Sequence, residues 1–330
     1  MRLRHVVEYL YSRLEITSDS IFAVKRSHMK NRWLLNLMML CLVAGLVTFL
    51  YLRPKQALDQ ADSYEISSYK LSEFNGISVE FPTKAPVTFE KVNGFWRLTA
   101  PNQTRADQAS VQRILSIIAA KTKDKITKDK FEAADLEKFG LNNPSVKLKL
   151  IRDKNSSEEF LFGTHNPVTD EQYVAHKGAI YLLANAYGEA AATQVIELVD
   201  KAPLKPTEKV AGFDFSHLEQ WEATRLHLDL VDGKWKASIA TAKPQQNELN
   251  EWLDYSWVHT MAKSVEFYTP DRKTTYPSFE IKMADGKSVH FDKIQESPDL
   301  LLGRPDEGLI YNFPADSGFS MLNPPLNIPN

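Results

Sequence analysis

The chain has 330 residues, a formal charge of −2, 43% hydrophobic and 25% charged residues. That composition excludes wholesale disorder and allows two ordinary domains, while the balance of 40 Lys and Arg against 42 Asp and Glu argues against gripping nucleic acid by bulk charge. A mean hydropathy of −0.34 is too polar for a multi-span transporter, and a single cysteine excludes an internal disulfide framework and any CxxC-type zinc or redox motif.

In chain order, the first segment is 1–32. Val6, Val7, Leu10 and Leu14 recur there at helical spacing, and Arg2, Arg4 and Arg13 suit an anionic inner leaflet. Met29-Lys-Asn-Arg ahead of an apolar run also reads as the start of a signal anchor, so translation from Met1 or from Met29 is left open. Residues 33–52 carry no charge, and only Asn36 and Thr48 are clearly polar. Twenty residues at ~1.5 Å each reach about 30 Å, the thickness of a bilayer's hydrocarbon core. Trp33 and Tyr51 mark the two ends, where amphipathic rings favour the interface. Lys25, Arg26, Lys30 and Arg32 precede the run, while Asp59, Asp62 and Glu65 follow Arg53 and Lys55, which places the N-terminus in the cytoplasm. Leu52-Arg53-Pro54 offers no small-residue cleavage site. The expectation is an uncleaved inner-membrane anchor, a linker over 53–69 and an extracytoplasmic region that holds no thiol, because Cys41 lies in the run.

The outer region repeats itself. VTFEKVNGFWRLTA and LHLDLVDGKWKASIA each read as two strands around a tight turn, Asn93-Gly94 and Asp232-Gly233, with Trp96 and Trp235 two residues beyond. Both pairs are 139 residues apart. A helix follows each hairpin: Val111, Ile114, Leu115 and Ile118 behind the candidate N-cap Asp107, then Leu249, Leu253 and Trp257. Pro144 leads VKLKLI and Pro277 leads FEIKM, and the groups close on strands around Tyr181 and Tyr311. The Ala-rich stretch 189–199 reads as a connecting helix, with Pro203 and Pro206 at the boundary. The expected fold class is α+β: an N-terminal transmembrane helix, then two duplicated antiparallel-sheet-plus-helix units over 70–203 and 204–330, with Trp96 and Trp235 in the core.

Gly94, Trp96, Leu98 and Pro101, then Ala106, Asp107, Val111, Ile114 and Leu115, then Leu136, Phe139, Gly140, Leu141 and Pro144 form a recognisable series. Over about 70–185 it resembles a bacterial family of unknown function often described as gliding-motility-type ABC transporter auxiliary components. The second unit lacks the F-G-L-x-x-P element before Pro277. The resemblance implies a membrane-linked extracytoplasmic accessory protein, with an ABC-type permease and ATPase as partners and no catalytic residues to carry over.

Motifs for chemistry are sparse. Asp285-Gly-Lys-Ser288 has Ile281 where a phosphate loop needs glycine, and VHF alternates as a strand, so it reads as a hairpin turn. No two of the eight histidines sit at helical ligand spacing. Glu158-Glu159 and Asp170-Glu171 read as polar loops between strands, and nothing selects an acid–base pair. The lysine-rich segment KTKDKITKDK, 121–130, reads as a solvated helix end and loop, or as a binding patch. Trp252, Tyr255 and Trp257 form an aromatic stretch suited either to core packing or to stacking on a cell-wall glycan. The leading expectation is a non-enzymatic accessory protein with no cofactor or metal. A glycan-binding module and an enzyme with a dispersed site are the alternatives.

Overall fold

The computed structural model describes residues 33–49, 63–153, 156–271 and 273–328. The expected segment 1–32 and residues 53–62 of the expected linker lie outside the described residues. The chain divides into one unit ending at Asp62 and a second from Ser63 onward.

In the first unit, residues 33–49 form helix α1, and every side chain along it is exposed. Among the described residues no helix is long and apolar enough to cross a membrane. The last three residues of the apolar run, 50–52, lie outside the described residues.

The second unit is α+β, built from antiparallel sheets with few helices. Strand β1 (Tyr64–Glu65) is followed by β2 (Gly76–Glu80), β3 (Val87–Val92), β4 (Phe95–Ala100) and β5 (Thr104–Arg105). Helix α2 (Gln108–Leu115) precedes two short strands, β6 (Lys121–Thr122) and β7 (Lys125–Ile126), and α3 (Ala133–Lys138). The long strands β8 (Val146–Asp153), β9 (Ser156–Asn166), β10 (Glu171–His176) and β11 (Ala179–Ala184) lead into α4 (Ala186–Ala192). Nine strands form one sheet in the order β5-β4-β3-β2-β8-β9-β10-β11-β7.

The remainder builds an eight-stranded sheet. Its strands are β12 (Val210–Asp214), β13 (His227–Val231), β14 (Lys234–Ala237), β15 (Ser264–Phe267), β16 (Ser278–Met283), β17 (Ser288–Gln295), β18 (Leu300–Arg304) and β19 (Leu309–Phe313). Helix α5 (Gln246–Leu253) follows β14, and α6 (Ala315–Leu322) follows β19. The order is β14-β13-β12-β16-β17-β18-β19-β15. Setting β4 against β14 and β7 against β15, the two sheets run through their strands identically.

Local chemistry explains the shared plan. Asn93 and Gly94 (φ 52° and 85°) and Asp232 and Gly233 (φ 51° and 74°) hold the two positive φ values that a two-residue hairpin demands. The strand beyond each turn carries a buried tryptophan, Trp96 and Trp235. A helix-leading glutamine then clamps that strand. Trp96 N–H donates to Gln108 Oε1 (2.9 Å) and Gln108 Nε2 donates to the Trp96 carbonyl (3.0 Å). Trp235 N–H donates to Gln246 Oε1 (2.6 Å) and Gln246 Nε2 donates to the Trp235 carbonyl (3.0 Å). A primary amide offers one donor and one acceptor side by side, so it satisfies the strand as a neighbouring strand would. Asp107 caps α2 by accepting from Ser110 N–H at 2.7 Å.

Several expectations are corrected. The part of the chain that builds the first sheet holds three helices, α2, α3 and α4, and the part that builds the second holds two, α5 and α6, where one helix per unit and one connecting helix were expected. The helix expected over 189–199 is α4, ending at Ala192, then a 3-10 turn, Val195–Leu198. Thr193 turns extended there (ψ 141°), and its hydroxyl donates to the Glu189 carbonyl at 3.1 Å, which satisfies one of the helix's last acceptors. Residues 63–69 belong to the compact unit rather than to a linker: Tyr64 and Glu65 pair with Thr122 and Lys121, and Ile66 is buried. The lysine-rich segment is two short strands and a 3-10 turn (Lys128–Lys130), not a helix end. Asp285-Gly286, by contrast, is a hairpin as expected, joining β16 to β17 with Gly286 at φ 83°.

Candidate functional site

The aromatic stretch comes first. Helix α5 passes directly into a π-turn, Asp254–Val258, marked by the bond from His259 N–H to the Asp254 carbonyl at 2.8 Å. At 3.6 residues per turn, an unbroken α-helix would point Trp257 roughly 140° away from Trp252. One extra residue in the turn restores it to the same face. Trp252 and Trp257 are therefore buried, 7% and 0% exposed, and only Tyr255 (74%) reaches solvent. Trp252 Nε1 donates to the Ser320 carbonyl (2.6 Å) and Trp257 Nε1 to the Met321 carbonyl (3.3 Å). Both indoles face the core, so the expected surface of Trp252, Tyr255 and Trp257 reduces to Tyr255, and the indoles offer no platform for a sugar. The signal available in the sequence was the spacing of five between the tryptophans, which suits no straight α-helix.

The charged residues that sequence reasoning passed over are concentrated inside. Arg105 on β5 forks onto Glu307, Nε to Oε1 at 3.0 Å and Nη2 to Oε2 at 3.1 Å. It also donates to Asp200, to the Ala202 carbonyl (2.5 Å) and to Tyr311 Oη (3.1 Å). Arg304, wholly buried at the end of β18, forks onto Glu208 (2.6 and 3.0 Å) and Asp306 (3.0 and 3.2 Å) and donates to the Pro203 carbonyl (2.6 Å). Burial pushes the Glu307 carboxyl up, but Arg105 and Arg304 outweigh it and hold the group below its ordinary value. Burial, reinforced by Glu307, raises the Tyr311 hydroxyl well above its ordinary range. The network ties the edge of the first sheet, the 199–208 connection and the β18–β19 turn together.

The equivalent place in the first sheet holds a different group. His176 ends β10 as Arg304 ends β18; each pairs with the first residue of the next strand, and each lies over a phenylalanine, Phe160 at 4.2 Å and Phe291 at 5.8 Å. Glu158, read from sequence as a loop residue, lies within β9 and is 3% exposed, with Oε2 3.1 Å from His176 Nε2 and 2.7 Å from Lys177 Nζ. His176 Nδ1 lies 2.7 Å from the Glu159 carbonyl, which can only accept, so Nδ1 carries the proton. Burial, outweighing the Glu159 carbonyl and Glu158, lowers the His176 pKa and favours the neutral ring, whose Nε2 is then an acceptor and makes no hydrogen bond to Glu158 Oε2. Lys177 is the cation that neutralises Glu158.

Beside this group opens a cavity of about 510 Å³, lined by Phe131, Leu136, Leu141, Leu161 and Ile180 together with Lys128, Glu158, His176 and Lys177. It is the right size for a small apolar ligand with one polar end. The sequence signal for it was weak. Glu158 sits in phase with Phe160 and Phe162 on the alternating face of one strand, a pattern the adjacent polar pair Glu158-Glu159 conceals. Among the described residues no group of three or more His, Cys, Asp or Glu is arranged to hold a metal ion.

A second histidine lies on the solvent face of the second sheet. His290 Nδ1 is 2.7 Å from Glu280 Oε1, and its Nε2 is 3.0 Å from Asp292 Oδ1, whose other oxygen accepts from Tyr268 Oη at 2.7 Å. Burial lowers the His290 pKa, but the bonds to Glu280 and Asp292 outweigh it and the net shift is upward. A raised histidine stabilises the fold fully below its unfolded pKa of about 6.5, and the contribution is lost as pH rises through the folded value. His290→Gln is therefore expected to lower the urea midpoint more at pH 5.5 than at pH 9. An equal loss at both would show that the imidazolium form contributes nothing.

The DUF4340 family model, described as a domain of unknown function, matches residues 96–276. No curated protein and no solved structure matches the chain. The match opens at Trp96 on β4 and closes just before β16, so it takes in Glu158, His176 and Asp200 and crosses from the first sheet into the second. It spans more than half of the chain, and the protein belongs to the DUF4340 family.

Proposed function

We propose that the protein is a membrane-anchored, extracytoplasmic and non-catalytic accessory component of an ABC-transporter-type complex, with its N-terminus in the cytoplasm. The observation that carries this reading is the uncharged run 33–52, whose described part is helical with every side chain exposed, set ahead of the unit that begins at Ser63. The resemblance of the series from Gly94 to Pro144 to ABC auxiliary components supplies the partner class. The internal use of charge supports a scaffold role: Arg105, Arg304, Glu208 and Glu307 are spent on one another, holding two sheets in register.

The same reading takes the two sheets as copies of one ancestral unit. Coincident strand orders, hairpin turns and glutamine clamps support duplication, and the family match running across both sheets agrees with treating them as one working body. Purification of the tagged full chain in mild detergent is expected to co-recover a permease and an ATPase subunit. Repeated recovery of the protein alone, with its own yield intact, would overturn the assignment.

A further inference from the structure

The lysine-rich segment is the feature that the fold leaves with surplus charge. Lys121 is spent on Glu65 (2.8 Å), and Lys125 lies over the rings of Tyr64 and Tyr181 at 5.4 and 5.5 Å. Lys123, Lys128 and Lys130 are exposed, and among the described residues no carboxylate pairs with them at ion-pair distance. Asp124 and Asp129 are the only acids within 121–130. Two further facts fix where this surplus stands. β6 pairs with β1, in the register Tyr64 with Thr122 and Glu65 with Lys121, so Lys123, the residue after β6, borders the point where the chain enters the compact unit, and Lys128 and Lys130 follow β7, which pairs with β11. Only residues 53–62 separate that point from the apolar run. At ~3.3–3.6 Å per residue even an extended chain of that length reaches no further than about 36 Å.

We propose that Lys123, Lys128 and Lys130 form a docking face for the anionic lipid headgroups of the membrane that holds the anchor, fixing the orientation of the outer unit on the bilayer. This rests on the anchored reading given above. Exposed lysines near an anionic surface are attracted individually and additively, and the attraction fades within a Debye length, so a face tethered close to the bilayer gains from it while a distant one does not. Lysine suits this role: it is a compact, flexible cation that needs no fixed partner geometry.

The test uses the full chain in nanodiscs of phosphatidylcholine alone or with about one-third phosphatidylglycerol. A membrane-impermeant amine label is read by mass spectrometry. Labelling of Lys123, Lys128 and Lys130 is expected to fall by roughly threefold or more in the anionic discs and to recover in 0.5 M salt. Lys234 and Lys236, exposed on β14, serve as internal references and are expected to stay constant. Equal labelling in both lipids, with the chain in the discs, would overturn the docking face and leave the anchor standing. A chain that elutes outside the discs would overturn the anchor instead. The same labelling with free vesicles of the two compositions then decides the lysines on their own, protection by the anionic vesicles alone supporting the face and equal labelling overturning it.

Discussion

Replacing Arg304 by alanine is expected to destabilise the outer unit by about 3–5 kcal/mol, the cost of removing one partner from a buried ion network. The side chain is fully buried, and its donors serve two carboxylates and a backbone carbonyl. Without it Glu208 and Asp306 lose their shared guanidinium and keep only the longer contacts to Lys205 (3.4 and 3.6 Å), while Glu307 keeps Arg105 and Lys205. The acid limb should shift as well. The folded Glu307 pKa is depressed, so its contribution is present above the unfolded carboxylate value and lost as pH falls through the folded one. With one guanidinium gone the depression shrinks, and acid unfolding should begin at a higher pH. Arg304→Lys keeps the charge but not the planar fork, and should recover only part of the loss. Urea titrations followed by tryptophan fluorescence, run at pH 7 and repeated across the acid range, measure both effects. A midpoint unchanged in Arg304→Ala would show that the network does not hold the two sheets together.

How much of this was legible in the sequence depends on the range of the determining interaction. The hairpins at Asn93-Gly94 and Asp232-Gly233 are set by the φ demands of two residues, and were readable. So was the burial of Trp96 and Trp235, because strand alternation places both on one face. The Asp107 cap is equally local. The segment 121–130 was misread because its strands are two residues long and exist only through pairing with β1 and β11. Glu158 was misread because its burial depends on His176 and Lys177, which lie on another strand and the turn after it. The Arg105–Glu307 contact joins residues 202 positions apart, and no periodicity reports it. Polarity alone marked Glu158 as a loop residue and left Arg105 and Glu307 unremarked; partnership is what takes these groups inside.

The aromatic stretch provides the second large effect and a clean contrast. Trp257 lies among Phe213, Phe279 and Phe291 at centroid distances of 5.5, 5.7 and 5.9 Å, with no exposed surface. Trp257→Ala would empty the middle of that cluster and leave the Met321 carbonyl without its indole donor, for an expected loss of about 3–5 kcal/mol. Tyr255 is two residues away in sequence but 74% exposed, so Tyr255→Ala should change stability by no more than about 0.5 kcal/mol. The pair separates two meanings of an aromatic-rich helix. If the stretch is core, as the π-turn makes it, only the tryptophan variant shifts the urea midpoint. If Trp257→Ala left the midpoint where it was, the indole would have to be outside the packed interior, and the stacking surface dismissed on burial would be restored.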